Sequence, residues 1–527
     1  MRRLVAVSLL TVCGLVVTSP PASATPLAVG PVHVASGPSP FVPGCGGPGE
    51  ATPGVSVNYL NAEVEPHLAD DPTDANTLAG AWQQDRWNDG GSHGNVHAYS
   101  HDGGATWTAS SPAFSRCAGG TATSAVLSTD PLAARPSDYQ RATDPWVSYG
   151  PTGRLHAIAL AFDNSTPRNA VLTAYSDNDG ATWSAPREVR FDNPRALGNN
   201  FNDKESLTAD PGDARYVYAT WQRIVSPSES SSAKAYENSV SYFSDAWFAR
   251  STNGGVTWEP ARSIYSPGRL QQTIGNQVDV LPDGTLINGF NRIQAVSNRD
   301  KQRGYNVEII RSTDKGQTWS APVHVDRLLV ADVRDPDPTA PCPDPGEVGG
   351  CPVRTGDIIP DLAVDRSANP ATRGNLYAVW MDARSTGGAH NDILLARSTD
   401  GGLSWGSPVV VDHTPAGVDA FTAAVDDDGT GRVAVSYYDF RNDVPGDTVL
   451  STDFWITHSH DGGLTFPDEN RLTTTSFDMR TAPYAGGYFV GDYTGLSHVN
   501  GRFDSLWVGA NTGNVANRTD AFHRSAQ

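Results

Sequence analysis

The chain has 527 residues, with 52 Gly, 38 Pro, 13 Trp and 17 Tyr against only 3 Met, and 18% of its residues are charged. That balance excludes a coiled coil or helical bundle and points to many short strands joined by turns. The formal charge of −20 repels phosphate backbones, so no nucleic-acid partner is expected.

In chain order, the opening "MRRLVAVSLLTVCGLVVTSPPASATP" sets Arg2 and Arg3 before an apolar run from Leu4 to Val17, with small residues at Ala22 and Ala24. This is the pattern of a secretory signal over residues 1–24, so the mature protein is expected to be secreted and extracellular. Later apolar stretches fall short of a membrane span, and no membrane insertion is expected. Of 5 cysteines, Cys13 leaves with the signal. The even remainder, Cys45, Cys117, Cys342 and Cys351, favours two disulfides in an exported chain. Cys342 with Cys351 would close a tight loop around "PDPGEVGG", which leaves Cys45 for Cys117.

A nine-residue motif then recurs along the chain. "YSHDGGATW" ends at Trp107, "YSDNDGATW" at Trp183, "RSTNGGVTW" at Trp258, "RSTDKGQTW" at Trp319, "RSTDGGLSW" at Trp405 and "HSHDGGLTF" at Phe466. An alternating strand precedes each copy and another follows, so the motif reads as a hairpin turn with Gly at positive φ and Asp or Asn bonding back to turn amides. Earlier in each unit two strands meet at a Pro/Asp/Gly turn, as in "SLTADPGDARYVYATW". Four strands per unit, repeated, predict an all-β β-propeller. "TGLSHVNGRFDSLWVGANTG" and "AFHRS" supply a further unit without a box. The expectation is therefore seven blades, with six as the alternative, closed by a strand from the N-terminal segment 25–60 such as "PVHVASG", and one propeller domain over residues 61–527.

These boxes resemble the Asp boxes, or bacterial neuraminidase repeats, of the sialidase superfamily, over nearly all of the mature chain. The unit pattern, including "FNDKES", "TIGNQ", "RTGDIIPD" and "GDYTGL", is similar to exported bacterial sialidase-like proteins. The resemblance implies an exo-α-sialidase-like hydrolase with an arginine triad for a carboxylate, an aspartate acid/base and a tyrosine nucleophile. An Arg-Ile-Pro near the start, usual in such enzymes, is absent; the nearest strings are "RIV" at Arg223 and "RIQ" at Arg292.

If the box joins the third strand of a unit to the fourth, the entry to each first strand lies on the opposite face, and a central site is expected there. First-strand entries differ between units, which is where function sits on a repeated scaffold. They supply Asp144, Glu205 and Asp357 as candidate acids or bases, Tyr493 as candidate nucleophile, and Arg141, Arg354, Lys204, Asn276 and Asp492 as candidate substrate-binding groups. The second-strand exit adds Arg86. Such a set suits glycosidic chemistry, in which one carboxylic acid protonates the leaving oxygen and a second group attacks or activates water. The other exit residues, Asp382, Arg384, Asp439 and Arg441, recur between units and are expected to bridge neighbouring blades instead.

No cofactor is expected, and the 13 histidines suggest no metal site; Asp332 to Glu347 could hold a structural calcium but fits no standard loop. Three functions stay open: a hydrolase releasing a terminal acidic sugar, a lyase or hydrolase acting on uronate polymers, and a non-catalytic glycan- or protein-binding propeller. The partner is in each case a glycan, glycoconjugate or protein surface, and the chain is expected to be monomeric.

Overall fold

The computed structural model describes residues 26–122, 136–193, 200–225, 243–268, 271–294, 304–344 and 346–527. The expected signal, residues 1–24, lies outside them. No helix of the described residues is long and apolar enough to cross a membrane.

The described residues are all-β and fall into successive antiparallel groups of four strands. Their first, inner strands are Asn58–Asp70, Arg141–Tyr149, Asn200–Ala209, Gln271–Val280, Asp361–Val364, Ala420–Asp427 and Gly495–Val499. The first two groups are joined by the single pair Ser92↔Ala142. In the last group, Thr519–Ala526 pairs with the N-terminal strand His33–Val34, through His33↔His523 and Val34↔Phe522. Each inner strand packs beside the next, and the last lies beside the first.

Apolar second strands explain why the groups stack. "LAGAW", "YATW", "AVW" and "SLW" place Trp82, Trp221, Trp380 and Trp507 among the largest fully buried side chains, each removing on the order of 200 Å² from water. Asp and Arg at the exits of these strands are structural, as expected. Arg384 joins Asp382 (2.9 Å) to Asp326 of the preceding group (2.7 Å), and Arg441 pairs with Asp439, which also accepts from Trp455 Nε1 (2.8 Å) and from Thr414 (3.0 Å) in the segment that follows the preceding group's last strand.

The six boxes share one hydrogen-bond pattern. In the first, Ser100 Oγ donates to Asp102 (2.8 Å) and accepts from Gly104 N (2.9 Å), while Asp102 accepts from Thr106 N (2.8 Å). Ser398, Asp400, Gly402 and Ser404 repeat it, as do Ser459, Asp461, Gly463 and Thr465. Both residues at the turn's apex have positive φ, yet Asp179 and Lys315 occupy the first position. The second is always Gly, because a Cβ there would also strike a neighbouring side chain: at Gly402 it would lie 2.5 Å from Ile309 Cδ1.

Cys45 is bonded to Cys117 and Cys342 to Cys351. In the Asp332–Glu347 segment the acidic groups are engaged by protein partners, Asp335 by Arg480 (2.7 Å), Asp337 by Thr339 (2.7 Å) and Glu347 by Arg334 (3.1 Å).

Candidate active site

The inner strands do not run straight. Register breaks between Val64 and His67, Thr143 and Trp146, Asp203 and Ser206, Ile274 and Gln277, and Phe421 and Ala424. Each break is a β-bulge, a device that re-aims a side chain. The residue at the bulge has positive φ: Glu65 (55°), Asp144 (49°), Lys204 (48°), Gly275 (65°) and Thr422 (50°). Only glycine takes that conformation freely; for the others it costs about 1–2 kcal/mol each. Three of these strained positions carry charges, and strain concentrated this way marks a functional centre.

The three charges meet. Lys204 Nζ lies 2.7 Å from Asp492, 2.9 Å from Glu65 and 3.7 Å from Asp144. Arg354 Nε donates to Asp492 at 2.9 Å; an added Cβ on Gly356 would collide with the Asp492 carbonyl, so glycine permits this approach. Arg86 donates to Gln83 at 2.7 Å, and Gln83 in turn bonds to Glu65. Arg86 and Arg354 both lie over the Phe489 ring, at 5.1 and 4.4 Å.

Burial opposes every charge here, and the neighbours decide the outcome. Burial lowers the Lys204 ammonium, but Asp144, Asp492 and Glu65 outweigh it and hold Lys204 well above its ordinary range. Burial also raises the Asp492 carboxyl, yet Arg354 and Lys204 hold it well below. Asp144 is likewise pushed up by burial and brought below its usual value by Lys204 and by bonds from Glu65 and Thr143. Glu65 is pushed well above its ordinary value by burial, with Lys204 opposing and Asp144 and Asp492 adding to the rise.

A central cavity of about 590 Å³ begins at this cluster and runs along the inner strands to the turns holding Pro72, Pro151 and Pro211. Lys204, Glu205, Asn276, Asp492 and Tyr493 line it. On one wall His67 stacks on Trp146 (3.7 Å between centroids), with Tyr493 5.5 Å beyond. Burial pushes His67 down to about 3, so its ring is neutral at ordinary pH. Glu205 is buried and neither carboxylate oxygen has a hydrogen-bond partner among the described residues. Burial, then the Asp144 charge, holds its carboxyl well above the usual range.

The cavity reaches from the charged cluster near the first-strand entries, where a central site is expected, to the first-to-second-strand turns. Val64, Ala485 and Phe489 form a buried cluster at the entry side, where Val353–Arg354 pairs in parallel with Tyr488–Phe489. Those insertions cap the end that a bare repeat would leave open.

Of the residues singled out in the sequence, Lys204, Glu205, Asn276, Asp492 and Tyr493 meet at the cavity, and Asp144, Arg86 and Arg354 lie in the network around Lys204. Asn276 turns to its own sheet, accepting from Asn288 at 3.1 Å. Arg141 is elsewhere: it donates to the Glu50 carbonyl (3.1 Å) and to Asp89 (2.8 Å), anchoring the N-terminal segment. Asp357 is half-buried outside the cavity wall. Burial and four surrounding carboxyl groups hold the Tyr493 hydroxyl well above 10.0, and that hydroxyl donates to the Pro145 carbonyl at 3.3 Å. Glu65, Gln83, His67 and Trp146 were not singled out as site residues. For Glu65, His67 and Trp146 the signal was the parallel between "EPH" and "DPW" at the same point of two repeats.

Residues 98–109 match the model of the BNR/Asp-box repeat. No curated protein matches the chain. Among solved structures the chain is similar to the Hadza microbial sialidase Hz136, at 17% identity and TM-score 0.43, over 73% of this chain and 66% of that one. It is similar to a Penicillium chrysogenum alpha-L-arabinanase complexed with arabinobiose, at 13% identity and TM-score 0.41, over 72% and 93% of the two chains. It is also similar to the intramolecular trans-sialidase from Ruminococcus gnavus, at 13% identity and TM-score 0.37, over 88% and 94%. The matched repeat is the first of six boxes that share one hydrogen-bond pattern, so the chain carries Asp-box turns throughout.

Proposed function

We propose that the protein is a secreted, glycan-active hydrolase built as a closed seven-bladed propeller, with its active site in the central cavity. Four-stranded groups packed side by side, and the N-terminal strand completing the last, support the closed ring. The observation that carries the function is a pair of carboxyl groups in one cavity with opposed protonation: Glu205 held up by burial and Asp144, Asp492 held down by Arg354 and Lys204. Groups whose environments separate their pKa values in this way serve as acid and ionised partner.

Glu205 is the candidate general acid, giving its proton to the leaving glycosidic oxygen. Asp492 supplies fixed negative charge for the oxocarbenium-like transition state, and water then adds to the anomeric carbon as its proton passes to the Glu205 carboxylate, restoring the acid. Trp146 and Tyr493, tilted 59° to each other, provide aromatic surface against which a sugar ring packs. The finer reading, an exo-α-sialidase releasing an acidic sugar, needs arginines facing the cavity. Arg366 lines it but is paired with Asp279, and Lys204 already has three acidic neighbours. Asp70, Asp279, Asp361 and Asp426 line the same cavity, so the geometry favours a neutral terminal sugar.

The test is incubation with sialosides, neutral oligosaccharides and uronate polymers, following reducing sugar and the absorbance of unsaturated products. Release from neutral oligosaccharides is expected. Release of sialic acid or unsaturated uronate in its place would overturn the assignment, and binding without release would leave a non-catalytic module.

A further inference from the structure

Away from the cavity, the sixth group carries a second concentration of chemistry. His458 ends the strand Ser451–Ser459 and pairs in register with Asp468 of the neighbouring strand, so their side chains share a face. His460 follows two residues later. Between them Ser459 turns the other way, donating to Asp461 (2.7 Å) and accepting from Gly463 N (2.9 Å) as the box requires. That alternation leaves both imidazoles on the side of Asp468. Their Nε2 atoms are 2.8 Å apart, and one ligand atom from each of the three residues lies within 4.8 Å of the others. On the opposite flank His458 faces Ala434, which leaves space beside it.

Two imidazole nitrogens, each about 2.0–2.1 Å from a metal, would stand about 3.3 Å apart at the tetrahedral angle of zinc and about 2.9 Å apart at the right angle of a tetragonal copper or nickel site. The observed separation lies nearer the second value, and a ring shift of about 0.5 Å reaches the first. Nitrogen donors with one carboxylate suit zinc, nickel or copper rather than calcium or magnesium, which take all-oxygen sets. We propose that His458, His460 and Asp468 form a divalent transition-metal site that ties the last box turn to its two flanking strands. Three protein ligands leave the remaining coordination positions to water. The site is independent of the proposed hydrolase centre, and its failure would leave that centre untouched.

The histidines looked scattered in the sequence because a His-x-His pair becomes convergent only on a strand, where residues two apart share a face. Asp468 joins them through strand pairing across the box turn.

The test is equilibrium dialysis of the whole chain against zinc, with wild type, His460→Ala and Asp468→Asn; His460 is exposed, so its removal leaves the core intact. One zinc per chain is expected in wild type, with affinity at least about tenfold weaker in either variant and no competition by millimolar calcium. A wild type that takes up no stoichiometric zinc, or variants that bind as tightly as wild type, would show that the two rings merely share a hydrogen bond.

Discussion

Lys204 is the residue on which the centre of the molecule turns. It is buried among three carboxyl groups and held in a left-handed conformation. Lys204→Met would leave two ionised carboxylates without their ammonium, and breaking a buried ion pair by removing one partner costs about 3–5 kcal/mol; a lower denaturant midpoint would register it. The Asp492 and Glu205 shifts set the pH dependence of activity. Asp492 lies well below its ordinary 3.8 and Glu205 well above its ordinary 4.5, so the ionised-base, protonated-acid state fills the interval between them. On the basic side activity should fall as pH rises through the elevated Glu205 value, with an acid limb well below 3.8 from Asp492, and a pH–rate profile whose basic limb lies near 4.5 would contradict this. Lys204, Glu205 and Asp492 were legible in the sequence because first-strand entries vary while the scaffold repeats. Glu65 and Trp146 were not assigned, because the bulge that turns them toward their partners leaves no compositional trace.

At the scale of the element, the box turn was the most legible feature, since its hydrogen bonds are made within one short stretch of chain. Its two apex glycines are not equivalent. Gly402→Ala should cost about 1–3 kcal/mol, from a strained φ and the contact with Ile309, whereas Gly401→Asp should be tolerated, because Asp179 holds that place in another box. Thermal melting of the two variants separates the cases. The box carboxylates also fix acid behaviour. Bonds from the Thr106 amide and then its hydroxyl bring Asp102 to about 2, and bonds from Thr318 do the same for Asp314. Folded values below the unfolded 3.8 stabilise the protein above that pH, and the contribution is lost as pH falls toward 2. Melting temperature should therefore drop between about pH 4 and 2, and Asp314→Asn should flatten part of that drop.

For the whole molecule, an N-terminal strand completes the last four-stranded group. Strand His33–Val34 covers the edge of Thr519–Ala526, and an uncovered edge invites pairing between molecules. Removing residues 26–36 should lower the melting temperature and produce aggregates detectable by light scattering; a monomeric, equally stable truncation would show that the strand is dispensable. The repeat period and composition made the succession of four-stranded groups legible. The cap around Phe489 was not, because Val353–Arg354 and Tyr488–Phe489 belong to insertions that no repeat predicts. The account as a whole rests on Glu205 acting as the acid in that cavity. The most direct test is the kcat for sugar release by Glu205→Gln beside wild type: a loss of about a hundredfold or more with unchanged melting temperature is predicted, and full activity in the variant would contradict it.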